Sequence, residues 1–484
     1  MTPTRDNRLS TGVKGLDKIL NGGLLPHRSY LMRGGPGSGK TTLGLHFLIE
    51  GDAGSSLFVT LGESEAQLRD DAERAGLPMD SVEVLELTPG QDEDEGSTSL
   101  LESWDIAGNS IHETILNHVR EHKPERVLID SLSQLRYVTM DAYQFRKQVL
   151  SLLRGLTAEK ATVMFTSETV PGEDDEALAF LSDGVISLEH TENGRLCRIN
   201  KLRGSGFADG MHYYQLGHGG MTLYPRLVPD DHGRMAELRQ LSTGIRELDE
   251  LTHGGLESGT VTLFSGPSGV GKTTLGAQLM TEAARRGERS VIYSFDEGAS
   301  TFYTRCKAIN LPVKQMVDDG YLHFEAVEPL HYNPDQFAAV VRAEVEERGT
   351  SLVMIDSLSG YHQSVRGQDL AERVHALCRY LVNMGATVLL VNEVYAITGN
   401  QTRVTEHGLS YLADNILLLR YMEMDGELRK TIGILKKRAG NFEKSIREFE
   451  IAGSGIMVGP PLRGMRGILS GVPETVKDGG GESL

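Results

Sequence analysis

The sequence contains two copies of one long segment, and this repeat limits the chain to folds that can be built twice. The segment RLSTGVKGLDKILNGGLLPHRSYLMRGGPGSGKTTL from Arg8 aligns without a gap with QLSTGIRELDELTHGGLESGTVTLFSGPSGVGKTTL from Gln240. Matching apolar segments follow in both copies, RVLIDSLSQL from Arg126 and SLVMIDSLSG from Ser351. Self-similarity over such a length indicates a duplicated domain. We therefore predict two tandem domains with the same order of elements.

The domain boundaries follow from the repeat and from one polar segment. VPDDHGRMAE, at residues 228–237, contains Pro, Gly and two Asp, a composition typical of a linker. We predict a first domain over 1–227, a second domain over 238–459, and a C-terminal loop with a short tail over 460–484.

The pattern inside each copy predicts an α/β fold. Short apolar runs alternate with segments of helical period, which favours a mostly parallel central sheet with crossover helices. Near the end of each copy, two strand-like runs are joined at Asn193-Gly194 and at Asp425-Gly426, which are hairpin signals. We expect an antiparallel hairpin edge beside each parallel sheet.

Each copy carries the pattern of a phosphate-binding loop between a strand and a helix. The loop amides and the positive helix end would face bound phosphates, and the lysine would reach the β- and γ-phosphates. The predicted nucleotide-binding residues are Gly34, Gly35, Gly37, Ser38, Gly39, Lys40, Thr41 and Thr42 in the first copy, and Gly266, Ser268, Gly269, Val270, Gly271, Lys272, Thr273 and Thr274 in the second. The pattern predicts ATP as the ligand.

A Mg²⁺ site is predicted beside each loop. Asp130 and Asp356 end apolar runs, which places a carboxylate at a strand tip where it can hold a Mg²⁺-bound water. Thr41 and Thr273 would offer hydroxyl ligands. A helix-capping aspartate is the alternative reading.

The strand after each phosphate-loop helix ends in a candidate general base. LFVTLGESE ends near Glu63, and VIYSFDEGA ends at Asp296 and Glu297. A carboxylate at this strand tip can take a proton from water or from a hydroxyl group. The first copy has Gly62 where the second has Asp296, so we expect the two sites to differ in chemistry.

Two basic pairs end the hairpins. Lys201 with Arg203, and Lys436 with Arg438, each form a Lys-x-Arg pair on one face of a strand. Such cations could stabilise charge on a γ-phosphate of the same subunit or of a neighbouring one, and spacing leaves both open. A solvated basic edge that protects the sheet from aggregation is the alternative.

Charge and hydropathy narrow the partners. A net charge of −18 over 484 residues is a poor match to nucleic acid or anionic lipid. The sequence has no apolar run of about 18 residues and no signal-like N-terminus. We expect a cytoplasmic protein without a membrane segment, and we regard a DNA-stimulated ATPase as a minor alternative.

The order of these motifs resembles the KaiC family of bacterial circadian-clock ATPases and autokinases. LSTG, a GLD or ELD turn, the phosphate loop, the acidic position and the Lys-x-Arg hairpin follow one another in both copies, from about Arg8 to Val476. KLRGSGFADGMHYYQLGHGGMTLYP and KSIREFEI are also similar to that family. The resemblance implies two RecA-like P-loop NTPase domains, a double-ring homohexamer with ATP between subunits, slow hydrolysis in the first domain, and serine/threonine autophosphorylation in the second.

The resemblance also implies phosphoacceptor positions. The family has an adjacent Ser-Thr before the first strand of the second hairpin, and the matching residues are Ser410 and Tyr411; Thr405 also matches a family threonine. A tyrosine hydroxyl lies farther from the backbone on a rigid ring, so we expect Ser410 to be the acceptor. A serine that only forms a turn hydrogen bond is the alternative.

Other departures bear on function. Family members usually carry Glu-Glu where this chain has Gly62-Glu63 and Asp296-Glu297. After a segment that resembles the family's regulatory loop, the tail is only KDGGGESL, which leaves little for a clock activator to bind. The expected function is a signalling or timing switch with Kai-type or other signalling partners. A nucleotide-gated assembly scaffold without autokinase activity shares every nucleotide-binding residue and remains open.

Overall fold

The structure divides the chain into two compact units. It is a computed structural model, and contacts within it separate Met1–Arg226 from Leu227–Leu484. The described residues are 8–87, 100–138, 141–168, 176–229, 238–365, 369–394, 411–468 and 474–475.

The first unit alternates strands and helices through its sixth strand and then continues as strands. The strands are β1 (Ser29–Gly34), β2 (Ser56–Thr60), β3 (Val82–Glu86), β4 (Arg126–Asp130), β5 (Thr162–Glu168), β6 (Gly184–Thr191), β7 (Gly194–Leu202), β8 (His212–Gly217) and β9 (Gly220–Tyr224). The helices are α1 (Lys14–Ile19), α2 (Lys40–Ile49), α3 (Glu65–Arg74), α4 (Leu100–His122), α5 (Ala142–Ala158) and α6 (Glu176–Leu181), with a 3₁₀ helix over Leu132–Val138.

The second unit repeats the order of the main-sheet strands, with short additional strand pairings and some differences among the described helices between them. Its strands are β10 (Gln240–Leu241), β11 (Leu256–Glu257), β12 (Val261–Gly266), β13 (Ser290–Ser294), β14 (Leu322–Ala326), β15 (Leu352–Asp356), β16 (Thr387–Glu393), β17 (Asn415–Met424), β18 (Glu427–Lys437), β19 (Arg447–Ala452), β20 (Gly455–Pro461), β21 (Met465–Arg466) and β22 (Glu474–Thr475). Its helices are α7 (Arg246–Leu251), α8 (Lys272–Arg285), α9 (Ala299–Ala308), α10 (Val313–Asp318), α11 (Pro334–Glu346), α12 (Leu358–Ser364) and α13 (Leu370–Asn383).

Each unit is built on a nine-stranded sheet of the same order. The first runs β3-β2-β4-β5-β1-β6-β7-β8-β9 and the second runs β14-β13-β15-β16-β12-β17-β18-β19-β20. The strands up to β6 and β17 pair in parallel, and the last three pair antiparallel. The predicted α/β class, with a mostly parallel sheet and an antiparallel hairpin edge in each domain, is confirmed.

The strand that leads into the phosphate loop lies in the middle of each sheet. β1 pairs with β5 and β6, and β12 pairs with β16 and β17. Because the carboxyl ends of parallel strands meet at one edge, the loops after β1 and β12 lie beside the tips of the neighbouring strands.

The predicted turn at Asp425-Gly426 has the backbone conformation of a tight hairpin turn. Asp425 and Gly426 both have positive φ, 54° and 79°, as a two-residue turn between twisted strands requires. β17 ends at Met424 and β18 begins at Glu427, so the turn contains only these two residues.

Both faces of each sheet are covered. In the first unit Met32 and Phe58 belong to one buried cluster with Phe47 of α2. The opposite face buries Leu31 with Val149 of α5. The second unit has two corresponding clusters. Across the described ranges, no helix is both long and apolar enough to cross a membrane.

Candidate nucleotide-binding sites

The first predicted loop connects β1 to α2 through a tight turn. Gly37 and Gly39 have φ of 68° and 86°, and Gly39 precedes the first residue of α2 in the left-handed region. A side chain is disfavoured at these backbone angles, which explains the glycines. Lys40 is buried, and its Nζ donates to the carbonyl oxygens of Gly34 at 2.8 Å and Gly35 at 3.1 Å. The lysine is thus held across the mouth of its own loop.

The second loop has the same construction. Gly269 and Gly271 have φ of 74° and 117°. A Cβ at Gly271 would lie 2.4 Å from Cδ1 of Ile451, so close packing as well as backbone conformation requires glycine. Lys272 donates to the carbonyl oxygens of Gly266 at 2.9 Å and Pro267 at 2.8 Å. The other predicted loop residues lie in the same two strand-loop-helix segments: Ser38, Thr41, Thr42, Ser268, Val270, Thr273 and Thr274.

Each predicted metal pair is brought together. The Thr41 hydroxyl donates to Asp130 Oδ2 at 2.6 Å, and the Thr273 hydroxyl donates to Asp356 Oδ2 at the same distance. In the first site Thr166 donates to the second oxygen of Asp130 at 2.5 Å. Hydroxyl and carboxylate oxygens are ligands that Mg²⁺ prefers, so the donor set fits this ion.

Asp356 is a strongly buried carboxyl group. Burial raises its pKa to about 6, although the Thr273 hydrogen bond and the Lys272 ammonium oppose the rise. A buried carboxylate is costly to ionise without a cation. This electrostatic setting favours a bound divalent cation.

Glu63, the candidate base of the first site, lies at the tip of β2. Burial raises its pKa, and the carboxylates of Asp130 and Asp71 raise it further. The Thr60 hydroxyl accepts from the Glu63 backbone N–H and donates to the Glu63 carbonyl, which fixes the strand tip. Gly62 contributes no second carboxylate.

The two carboxylates of the second site have different partners. Asp296 Oδ2 accepts from the Ser357 hydroxyl at 2.8 Å. Glu297 forms an ion pair with Arg305, whose Nη2 lies 2.6 Å from Oε2. Nη1 of Arg305 also donates to the Thr274 hydroxyl at 2.8 Å. The guanidinium therefore connects the candidate base to the helix of the phosphate loop.

The same position distinguishes the two sites. Arg305 lies eight residues after Glu297, and eight residues after Glu63 the first copy has Asp71. A guanidinium stabilises an ionised neighbouring carboxylate, whereas a second carboxylate destabilises it. The duplicated fold thus surrounds two equivalent glutamates with opposite charges.

The Lys-x-Arg pairs lie toward the ends of the strands that point away from the phosphate loop of the same unit. Lys201 pairs in register with Val185, which pairs with Leu31, three residues before the end of β1. At about 3.3 Å per residue, this places Lys201 about 10 Å from the loop along the strand. Its Nζ donates to the carbonyl oxygens of Ala179 and Ser182.

The remaining members of these pairs are held in the same way. Arg203 lies 3.9 Å from Asp183, and Arg438 lies 3.0 Å from Asp414. Lys436 Nζ donates to the Ala413 carbonyl at 2.6 Å. These contacts are all with residues outside the phosphate loop of the same unit.

Other residues near the loops were not predicted. Arg195 donates to the Gly37 carbonyl at 2.5 Å, and the equivalent Lys430 donates to the Gly269 carbonyl at 3.2 Å. Glu393, at the tip of β16, lies 3.8 Å from Lys272. The repeated strand endings TSE and VNE could have indicated Glu393; Arg195 and Lys430 had no motif to reveal them.

One cavity joins the elements of the second site. It has a volume of about 440 Å³, and its lining includes Lys272, Thr273, Asp296, Glu297, Arg305 and Asp356. Cation, hydroxyl and carboxylate groups thus converge on a space next to the second loop.

Of the predicted phosphoacceptors, only Tyr411 lies among the described residues. Its side chain is exposed, and its ring meets the ring of His375 edge to face at 5.5 Å. Thr405 and Ser410 lie outside the described residues, as do linker residues 230–237 and parts of the C-terminal segment.

Comparison with known proteins identifies the family. A family model described as "ATPase: KaiC" matches residues 9–228 and 241–463. The circadian clock oscillator protein KaiC of Parasynechococcus marenigrum is 27% identical and covers 98% of this chain and 94% of its own length. The clock protein KaiC 1 of a Synechocystis strain is 26% identical, with 97% and 92% covered. Two matches in tandem extend over most of the sequence, and the chain belongs to the KaiC family.

Proposed function

We propose that this protein is a KaiC-type molecular switch with two MgATP sites, ATPase activity, and serine autokinase activity in the second domain. One observation carries the proposal: Lys272, the Thr273–Asp356 pair and Glu297 surround a single cavity beside a phosphate loop. This is the set of groups that phosphoryl transfer needs, namely a phosphate cradle, metal ligands and a base.

Nucleotide binding would use the same parts in both domains. The loop amides and the N-termini of α2 and α8 favour anionic phosphates, and Lys40 and Lys272 add a positive charge. Thr41 with Asp130, and Thr273 with Asp356, would hold Mg²⁺. When bound, the ion neutralises charge that develops on the phosphate oxygens.

In the first domain we assign hydrolysis to Glu63. The pKa of Glu63 is raised toward neutral pH. A general base works best when its pKa lies near the pH at which the enzyme operates. Glu63 would orient a water and accept a proton as the water oxygen bonds to the γ-phosphorus and the bond to the β–γ bridging oxygen breaks.

In the second domain we propose that the γ-phosphoryl group is transferred to a side-chain hydroxyl group instead of to water. The Ser410 oxygen would bond to the γ-phosphorus, the bond to the bridging oxygen would break, ADP would leave, and Glu297 would take the hydroxyl proton. Asp296, whose Oδ2 accepts a hydrogen bond from the Ser357 hydroxyl, would add a second negative charge beside Glu297 at the strand tip. Tyr411 would be the poorer acceptor because its hydroxyl lies at the end of a rigid ring, and Thr405 a further candidate.

We propose that the sites are completed by a second copy of the chain in a homohexameric ring. Lys201, Arg203, Lys436 and Arg438 contact groups outside the phosphate loops of their own units, and they occupy equivalent places in both sheets. Cations supplied by a neighbouring subunit are an established device in ATP hydrolysis. Kai-type or other signalling proteins are the proposed readers of the ring.

An assembly scaffold is the second candidate, and the Arg305–Glu297 ion pair favours it. In this pair the Glu297 carboxylate already contacts a guanidinium, which an acceptor hydroxyl would have to displace. In a scaffold, ATP would hold the subunits together without transfer of phosphate to the chain.

Incubation with Mg²⁺ and γ-labelled ATP distinguishes these functions. Mass spectrometry of the peptide that contains residues 405–411 should find phosphate on Ser410 in the wild type and none in Glu297→Gln. ATP hydrolysis without labelled peptide would exclude the autokinase, and no hydrolysis at all would leave the scaffold. Ser410→Ala is the matched control, because it removes the acceptor oxygen and leaves the nucleotide site unchanged.

A further inference from the structure

A cluster of three metal-ligating side chains lies in the first unit, away from the nucleotide site. Glu83 is on the edge strand β3, and His118 and His122 are one turn apart on α4. The three ligand atoms lie within 4.8 Å of one another. The nucleotide chemistry uses none of these residues.

The distances within the cluster suit a small divalent ion. Glu83 Oε1 lies 3.0 Å from His118 Nε2 and 3.9 Å from His122 Nε2. Ligands at about 2.0–2.1 Å in a tetrahedral zinc site are separated by about 3.3 Å. Small side-chain adjustments would therefore bring all three atoms to one ion, with the fourth position open to water.

The His122 ring is already oriented for this role. His122 Nδ1 donates to the His118 carbonyl oxygen at 3.0 Å, because a carbonyl can only accept. The lone pair of a neutral His122 ring is therefore on Nε2, the atom that faces Glu83. A hydrogen bond of this kind to the far ring nitrogen is the usual support of a metal-binding histidine. The two rings stack at 4.2 Å and present their Nε2 atoms to the same carboxylate.

The backbone fixes where the carboxylate points. Side chains alternate along a strand, so Glu83 shares a sheet face with Leu85. Leu85 packs against the buried cluster that contains Ile115 and Val119 of α4. Glu83 is therefore directed toward the α4 face by the same packing that holds the edge strand.

The second copy is an internal comparison. The positions of Glu83, His118 and His122 correspond there to His323, Glu344 and Arg348. Glu344 is nine-tenths or more buried and pairs with Arg348 at 2.9 Å and with Arg289 at 3.2 Å. Two guanidinium groups satisfy that carboxylate and would repel a cation. Only the first copy combines the same scaffold with two imidazoles and no arginine among these three positions.

We propose that Glu83, His118 and His122 form a binding site for one divalent transition-metal ion of the Zn²⁺ type. Imidazole nitrogen with one carboxylate oxygen is a donor set for Zn²⁺, and the same set is a poor one for Mg²⁺, which prefers oxygen alone. The ion would clamp the edge strand to the end of α4. This inference does not depend on the proposed kinase activity.

The test uses full-length protein treated with a chelator and then kept in excess Mg²⁺, so that oxygen-rich sites are saturated. Zn²⁺ is titrated by calorimetry, and Co²⁺ binding is followed by its visible absorption. The wild type should take up one ion per chain. His122→Ala and Glu83→Gln should each weaken binding at least tenfold, since loss of even a supporting partner costs 10- to 100-fold.

His112→Ala is the matched control, because His112 lies on α4 outside the cluster, and it should bind as the wild type does. Glu83→Gln can still hydrogen-bond His118, so it separates loss of a ligand from loss of structure. The proposal is overturned if the wild type takes up no Zn²⁺ in excess Mg²⁺, or if both variants bind it with unchanged affinity. Unfolding temperature without metal checks that each variant is folded.

Discussion

At the scale of single residues, the two sites differ in the charge beside the candidate base. We expect Arg305→Gln to raise ATP turnover at the second site about tenfold, a fraction of what a general base contributes, because Glu297 loses its guanidinium partner. Turnover is measured in a Glu63→Gln background, which silences the first site. Lys307→Gln, which removes an exposed charge from the same helix, is the control. A fall to the level of Glu297→Gln would show instead that Arg305 supports the reaction.

The burial of Asp356 predicts an unusual dependence of stability on pH. Because its pKa is raised from 3.8 to about 6, the folded state binds more protons than the unfolded state between these values, and stability falls as pH rises through that window. The difference corresponds to at most about 3 kcal/mol. Asp356→Asn, without Mg²⁺, should therefore stabilise the protein at pH 8 and have little effect at pH 4.

The measurement is the unfolding free energy of both proteins at the two pH values. Addition of Mg²⁺ at pH 8 should stabilise the wild type more than the variant, since the second site offers an ionised aspartate only in the wild type. An equal effect of the substitution at both pH values would contradict the assigned pKa.

Some contacts of the second site could be predicted from the sequence, and others could not. Lys272, Thr273 and Asp356 carry a spacing that chemistry imposes, so their approach was predictable. Arg305 was not, because its contact with Glu297 depends on which face of α9 meets the strand tip. The charge inversion between Asp71 and Arg305 is visible in the sequence only after the structure has shown which positions correspond.

At the scale of elements, the hairpin turn of the second sheet can be tested by itself. Gly426 has a φ of 79°, and a Cβ there would meet no atom within 4 Å, so only backbone strain opposes a side chain. Gly426→Ala should cost about 1 kcal/mol and lower the unfolding temperature by about 2–4 °C. Gly426→Asn should recover most of this loss, because Asn tolerates the left-handed region. Equal loss in both variants would indicate that the turn is held by something other than its φ values.

The elements were easier to predict than their contacts. Alternating apolar runs and helical segments, read twice, gave the parallel sheets and the hairpin edges. The sequence could not predict that the edge carries β8 and β9, or β19 and β20, beyond the hairpin, because antiparallel strands of mixed polarity give weak signals. It also gave no sign that Arg195 and Lys430 would reach across to the phosphate loops.

At the scale of the whole molecule, the proposed ring makes a prediction that no isolated chain can satisfy. The Arg203→Ala variant has an intact phosphate loop but lacks a cation that would act on the nucleotide of a neighbouring subunit. The Lys40→Ala variant has that cation but lacks the lysine of its own phosphate loop. In a Glu297→Gln background, each variant alone should lose most first-domain hydrolysis. Rings formed from equal amounts of both should recover about a quarter of wild-type activity, because one interface in four then joins an intact loop to an intact arginine.

The recovery requires subunit exchange, which is checked by mixing differently labelled wild-type chains under the same conditions. Exchange without recovered activity would show that Arg203 acts within its own chain or only supports the fold. Full activity in Arg203→Ala alone would place the cation outside the reaction, as a basic edge. Recovered hydrolysis in mixed rings of wild-type size would support the proposal that the nucleotide lies between two copies of the chain. Assembly and hydrolysis would then depend on the same contact.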